Sequence, residues 1–122
     1  MEEKKIIPIA TNYEQGKILE ELIGTDSADM VYIDYGYATR LLPKNDIDAN
    51  SYPVICCAWS LPALLDVLPD IQGKSPIIHT HDNSISYAGK DELAVISDSL
   101  INASYEIILK LYKLNYVGKF KN

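Results

Sequence analysis

The stretch Ile77-Ile78-His79-Thr80-His81-Asp82-Asn83-Ser84-Ile85-Ser86-Tyr87-Ala88-Gly89-Lys90-Asp91 decides the fold class. Ile77 to His81 opens on β-branched residues and reads as a strand. Ser84 to Ala88 alternates polar and apolar residues, as a strand with one wet face does. Only Asp82-Asn83 lies between them. That link suits a two-residue hairpin turn, whereas a parallel crossover needs about a dozen residues or more. The two strands therefore run antiparallel. Gly89-Lys90-Asp91 is a second turn. Leu93-Ala94-Val95-Ile96 then fits either a third strand or the first turn of a helix. The strand is favoured, because Ser97-Asp98 looks like a fresh N-cap region.

The same reasoning extends outward in both directions. Trp59-Ser60-Leu61-Pro62-Ala63-Leu64-Leu65-Asp66-Val67-Leu68-Pro69 specifies a short helix. Ser60 is its N-cap, Pro62 falls in the first turn, and Trp59 and Leu64 stand at the positions of a hydrophobic staple. Leu61, Leu64, Leu65 and Leu68 make one apolar stripe, and Pro69 stops the helix. Upstream, Thr11-Asn12-Tyr13-Glu14 has the pattern of a capping box with Thr11 as N-cap. Ile18, Leu19, Leu22 and Ile23 follow as an apolar stripe, and Gly24 suits a left-handed helix end. Met30 to Tyr35 is β-branched and aromatic. Gly36 interrupts it, and Ala38 to Leu42 returns as a hairpin partner. Pro43 to Ser51 is a polar loop, and Pro53 to Ala58 is extended. After residue 97 comes the longest helix, with Leu100, Ala103, Ser104, Ile107, Leu111 and Leu114 on one face. Glu106 and Lys110 form an i, i+4 pair, and Gly118 is placed to end the helix. The whole predicts one α+β domain over residues 1–122, with an antiparallel sheet and about three helices packed on one face. Residues 1–10 read as an extended or loosely ordered lead-in.

Composition narrows the function classes. With 122 residues, 48% of them hydrophobic, the chain is long and apolar enough for one core of its own and is no disordered segment. No apolar run approaches the roughly 18 residues that span a bilayer. Met1-Glu2-Glu3-Lys4-Lys5-Ile6-Ile7-Pro8 lacks the apolar stretch of a signal peptide, so no membrane is expected and a cytoplasmic location is. The net charge of −6 repels phosphate backbones and argues against sequence-independent nucleic-acid binding. Lysines gather toward the C-terminus at Lys110, Lys113, Lys119 and Lys121, where cations favour a helix end. The two cysteines are adjacent, Cys56-Cys57. A disulfide between neighbours is strained and there is no CxxC spacing, so they read as small buried thiols of a strand. There is no Gly-rich phosphate loop, no Walker sequence and no nucleophile elbow. No cofactor is expected.

Two groups of residues have chemistry worth following. On a strand, His79 and His81 share a face, so both imidazoles could reach one ion. His79-x-His81 with Glu92 downstream resembles the metal signature of JAMM-type metallopeptidases, in which H-x-H is followed by serine and aspartate. Here Gly89 stands at the serine position and Glu92 at the aspartate position. That resemblance implies a metal-dependent hydrolase, the alternative function. The second group is aromatic. The chain has nine tyrosines against one Phe and one Trp, and Tyr32, Tyr35 and Tyr37 flank Gly36. Tyrosine combines apolar area with a hydrogen-bonding tip and suits interfaces. Tyr32-Ile33-Asp34-Tyr35-Gly36 also resembles the core strand of Tudor domains, although this helix-rich chain does not suit a small β-barrel.

Three segments, Ser27 to Tyr32, Ala58 to Pro69 and Ser99 to Leu111, occur in the same order in a set of small proteins from prophage and conjugative-element regions of gut anaerobic bacteria, which the chain resembles. The ending of two strands and a helix resembles that of HicB-type antitoxins, whose N-terminal pattern is missing. The first resemblance implies a mobile-element context and no particular activity. The leading expectation is a non-enzymatic accessory or interaction protein that binds a protein partner or itself, with Tyr32, Tyr35 and Tyr37 as the interaction surface.

Overall fold

A computed structural model describes residues 9–116. Its elements are α1 (Tyr13–Ile23), β1 (Met30–Asp34), β2 (Thr39–Pro43), a 3-10 turn (Ile47–Asn50), β3 (Val54–Ala58), α2 (Leu61–Val67), β4 (Ile77–His79), β5 (Ser84–Tyr87), β6 (Lys90–Ile96) and α3 (Leu100–Lys113). Every strand pairing is antiparallel, and the class is α+β. The strands divide into two three-stranded sheets, ordered β2-β1-β3 and β4-β5-β6. Helix α1 lies against β3, α3 lies against β5 and β6, and α2 packs on α3. One hydrophobic cluster draws on both sheets and all three helices, from Leu19 and Ile33 through Trp59 and Leu64 to Ile85, Leu93, Ile107 and Leu111.

One edge of the first sheet is closed by a neighbouring segment of the chain. The outer edge of β3 is already occupied. The Thr11 amide donates to the Trp59 carbonyl at 3.0 Å. The Trp59 amide donates back to Thr11 Oγ1 at 3.0 Å. Further along, the Cys57 amide donates to Glu20 Oε1 at 2.7 Å. With these groups spent on the α1 segment, no further strand can add there, and an otherwise exposed edge is covered.

This use of Thr11 also corrects the helix start. Asn12, not Thr11, is the N-cap of α1. Its Oδ1 accepts from the Gln15 amide at 2.8 Å, and Gln15 Oε1 accepts from the Asn12 amide at 3.1 Å. The box lies one residue later than the T-x-x-E pattern because the Thr11 hydroxyl is committed to Trp59. Gln15 Nε2 also donates to Asn102 Oδ1 at 2.8 Å, so the first turns of α1 and α3 are tied together. Gly24 ends α1 with φ +77°.

The α2 segment forms as its residues dictate. Ser60 Oγ accepts from the Ala63 amide at 3.4 Å, and Trp59 and Leu64 are both fully buried. Trp59 Nε1 donates to Ser27 Oγ at 3.0 Å, so its one polar atom is satisfied inside the core. Asp29 accepts from both the amide and the hydroxyl of Ser60, tying the start of β1 to the start of α2.

In the second half, residues 90–96 are a strand, which resolves the ambiguity over Leu93 to Ile96. The N-cap of α3 is Ser99, one residue beyond the Ser97-Asp98 pair, and its Oγ accepts from the Asn102 amide at 3.1 Å. Lys110, expected beside Glu106, donates from Nζ to the Ala94 carbonyl of β6 at 3.3 Å. Helix α3 ends at Asn115, whose φ is +70°. The Tyr116 amide reaches Leu111 O at 2.8 Å and the Asn115 amide reaches Tyr112 O at 3.2 Å, the bonding of a Schellman end. Gly118, expected to end this helix, lies outside the described residues, as do Lys119 and Lys121. Of the expected lead-in, only Ile9 and Ala10 are described.

Gly16 sets how closely α1 approaches the first sheet. A Cβ there would lie 2.3 Å from the Cys57 carbonyl oxygen. Gly16→Ala therefore forces helix and strand apart. That overpacking costs about 1–3 kcal/mol, partly offset by the roughly 0.5–1 kcal/mol recovered when glycine leaves a helix interior. Urea unfolding should show a lower midpoint; an unchanged or higher midpoint would refute the close contact. Thr11→Val keeps the shape but leaves the buried Trp59 amide unpaired, an expected loss of about 1–3 kcal/mol. In the same unfolding assay Thr11→Ser should retain most of that stability.

Candidate functional site

Exposed Tyr37 and Tyr52 meet half-buried Tyr35 at one end of the first sheet, whereas exposed Tyr13 and Tyr112 lie on α1 and α3. The β1–β2 hairpin closes through the Tyr35 amide donating to the Ala38 carbonyl at 2.9 Å. Gly36 takes φ +90° in this turn, a conformation open to glycine, and its amide donates to Asp34 Oδ1 at 2.7 Å. The tight reversal leaves Tyr37 outside, 88% exposed.

The 3-10 turn supplies the other wall. Asp46 caps it, with Oδ1 accepting from the Asp48 amide at 2.9 Å. The Asp34 amide donates to the Pro53 carbonyl at 3.0 Å, which brings the chain around Tyr52 alongside the hairpin. The Tyr35 ring then meets Tyr52 at a centroid distance of 4.5 Å and Tyr37 at 6.0 Å. Its hydroxyl donates to Asp48 Oδ2 at 2.8 Å. That bond pushes the Tyr35 phenol up to about 12, with desolvation and the charge of Asp48 adding to it and Arg40 opposing. The patch is thus three tyrosines continued by exposed Ile47 and Val54, with Asp34, Asp46, Asp48 and Arg40 around it.

Tyr32 belongs elsewhere. It stands edge-on to Tyr13, with centroids 4.4 Å apart, and its hydroxyl donates to the Thr11 carbonyl at 2.6 Å. Burial raises its phenol above the ordinary value. Strand alternation separates it from the turn residues Tyr35 and Tyr37, so it serves the α1 junction. Tyr52 is the member that sequence reasoning missed. It lies fifteen positions beyond Tyr37, behind a polar loop, and no local pattern links the two.

His79 ends β4, and His81 lies in the turn of residues 80–83, so the strand rule that would put them on one face does not apply. Both are exposed. The Asp82 carboxyl between them and β5 is held below its usual range, first by a hydrogen bond from Ser84 and then by the nearby charges of His81 and His79. Among the described residues no three His, Cys, Asp or Glu side chains are grouped to hold a metal ion. Gly89 sits at φ +76° in the β5–β6 turn, and Glu92 is exposed on β6.

Cys56 and Cys57 are free thiols buried in β3. Burial pushes Cys57 up to about 11, helped by Glu20, and raises Cys56 as well. A shallow depression of about 450 Å³ lies between β6 and α3, lined by Ala94, Val95, Ile96, Glu106, Leu109 and Lys110. Among the described residues no helix is long and apolar enough to cross a membrane. No family model, no curated protein and no solved structure matches this chain.

Two titrations check the electrostatics. Asp48→Ala removes both the hydrogen bond and the charge that hold the Tyr35 phenol near 12, so the Tyr35 ring carbon resonance should titrate closer to the ordinary value of 10. An unmoved titration would contradict the bond. The folded state also disfavours the Cys57 thiolate, whose ordinary value is 9.0. The stability this group contributes is present below pH 9 and is lost as pH rises toward 11. Thiol alkylation at pH 8 should accordingly be slow in native protein and fast in denaturant; rapid native labelling would refute it.

Proposed function

We propose that this chain is an accessory protein that works by binding another protein, docked through Tyr35, Tyr37 and Tyr52. One observation supports the reading above the others. Three aromatic rings meet at the surface, and Tyr37 is 88% exposed where most tyrosines of a folded chain find cover. Aromatic residues are enriched at interface cores, where they bring large area at low conformational cost. The patch is also pre-organised. The Tyr35 hydroxyl is fixed to Asp48 and the hairpin turn is closed by its own amides, so little ordering is left to be paid on association.

The context we propose is a mobile element, on the resemblance of the Ser27 to Tyr32, Ala58 to Pro69 and Ser99 to Leu111 segments, with action in the cytoplasm. Self-association is the simplest form of the same reading. A metal-dependent hydrolase built on His79 and His81 gains no support from the geometry, because His81 leaves the strand before it can share a face with His79.

Tyr37→Ser and Tyr52→Ser should leave the thermal unfolding midpoint within about 3 °C, since exposed substitutions shift stability by less than about 0.5 kcal/mol. Light scattering across a concentration series, and affinity capture from host cells, should each be run on wild type and on both variants. Loss of a dimer or of a captured partner in the variants supports the patch. A complex that survives both substitutions places the interface elsewhere.

A further inference from the structure

We infer that the partner presents an arginine-rich segment to the tyrosine patch, an inference that rests on the docking reading above and names the chemistry it accepts. The charges around the rings are unbalanced. The charged groups acting on Tyr35 are the carboxylates of Asp48 and Asp46 and one cation, Arg40, and Asp34 adds a carboxylate at the hairpin turn. Each carboxylate has one oxygen held by the fold. Asp34 Oδ1 takes the Gly36 amide, Asp46 Oδ1 takes the Asp48 amide, and Asp48 Oδ2 takes the Tyr35 hydroxyl. These bonds fix the carboxylates beside the rings and leave the second oxygen of each as an acceptor.

A cation over an aromatic face is attracted by the ring quadrupole, and guanidinium can also stack flat on it. A guanidinium further offers a planar fork of donors to a neighbouring carboxylate, which an ammonium does not. The exposed Tyr37 ring, beside the turn that Asp34 holds, therefore complements arginine better than lysine. The net charge of −6 adds long-range steering toward a basic partner.

The test uses the full chain with tyrosine rings carrying carbon-13. An arginine-rich peptide is titrated in, then a lysine-rich peptide and an acidic peptide of equal length. The expected result is that Tyr35, Tyr37 and Tyr52 resonances move with the arginine peptide while Tyr87 stays still, that the lysine peptide binds more weakly, and that the acidic peptide does not bind. Affinity should fall on raising salt. Tyr37→Leu should weaken binding roughly two- to fivefold, and Tyr37→Phe should keep it. Asp34→Asn and Asp46→Asn retain the turn acceptors and remove only charge, so they should weaken binding with unchanged thermal unfolding. Binding that ignores Tyr37→Leu, or equal binding of the lysine peptide, overturns the inference. If the arginine peptide does not bind but Tyr37→Ser still abolishes the native complex, the patch is a docking surface for a different chemistry. If neither responds, both readings fall.

Discussion

Thr11 and Trp59 hold the first half of the molecule together. Thr11 is fully buried and polar, and each of its hydrogen-bonding groups is used. Its amide and hydroxyl close a two-way bond with the Trp59 backbone, and its carbonyl receives the Tyr32 hydroxyl. This one residue ends the β3 edge, delays the start of α1 until Asn12 and positions Trp59 for the core. Glu20 repeats the device one turn of sheet away by accepting the Cys57 amide. Gly16 permits it, because a side chain there would collide with the strand backbone. On the β3 side the sheet ends because the α1 segment has taken the place of a next strand.

The tyrosines divide by what their hydroxyls do. Tyr32 and Tyr87 donate to main-chain carbonyls, those of Thr11 and Pro69, with Tyr87 buried in the core and Tyr32 half-buried against Tyr13. Burial holds the phenol of Tyr87 far above its ordinary value. Tyr35 donates to a carboxylate at the surface, and Tyr37 and Tyr52 lean on it from outside. The first group is tied into the fold, and the second forms the surface we propose for a partner. Only the location of each ring tells the two groups apart.

Much of the secondary structure was legible because its signals are local. Ser60, Pro62 and the leucine stripe specify α2 within nine residues, and the hairpins β1–β2, β4–β5 and β5–β6 follow from short links between strand-forming runs. Two of the departures, at Thr11 and at Lys110, share a cause. Each residue had a sound local role, and a distant group offered a better one. Trp59 claimed Thr11, and the Ala94 carbonyl drew Lys110 across to β6. At the other end of α3, Asn115 accepted the left-handed conformation before the chain reached Gly118. The candidate site was half legible. Tyr35 and Tyr37 announce themselves around Gly36, but nothing in the spacing brings Tyr52 to them or takes Tyr32 away.

By itself the amino-acid sequence determined the α+β class, the antiparallel sense of the strands and the positions of the three helices, because caps, turns and periodicity act over a few residues of chain. The tertiary structure decided that there are two sheets, that the histidines part at the end of β4, and which tyrosines form one surface. The histidines part because the β4–β5 turn begins at Thr80, and the other two outcomes depend on groups that meet across long stretches of chain, as Thr11 and Trp59 do across 48 residues, a pairing no local pattern encodes.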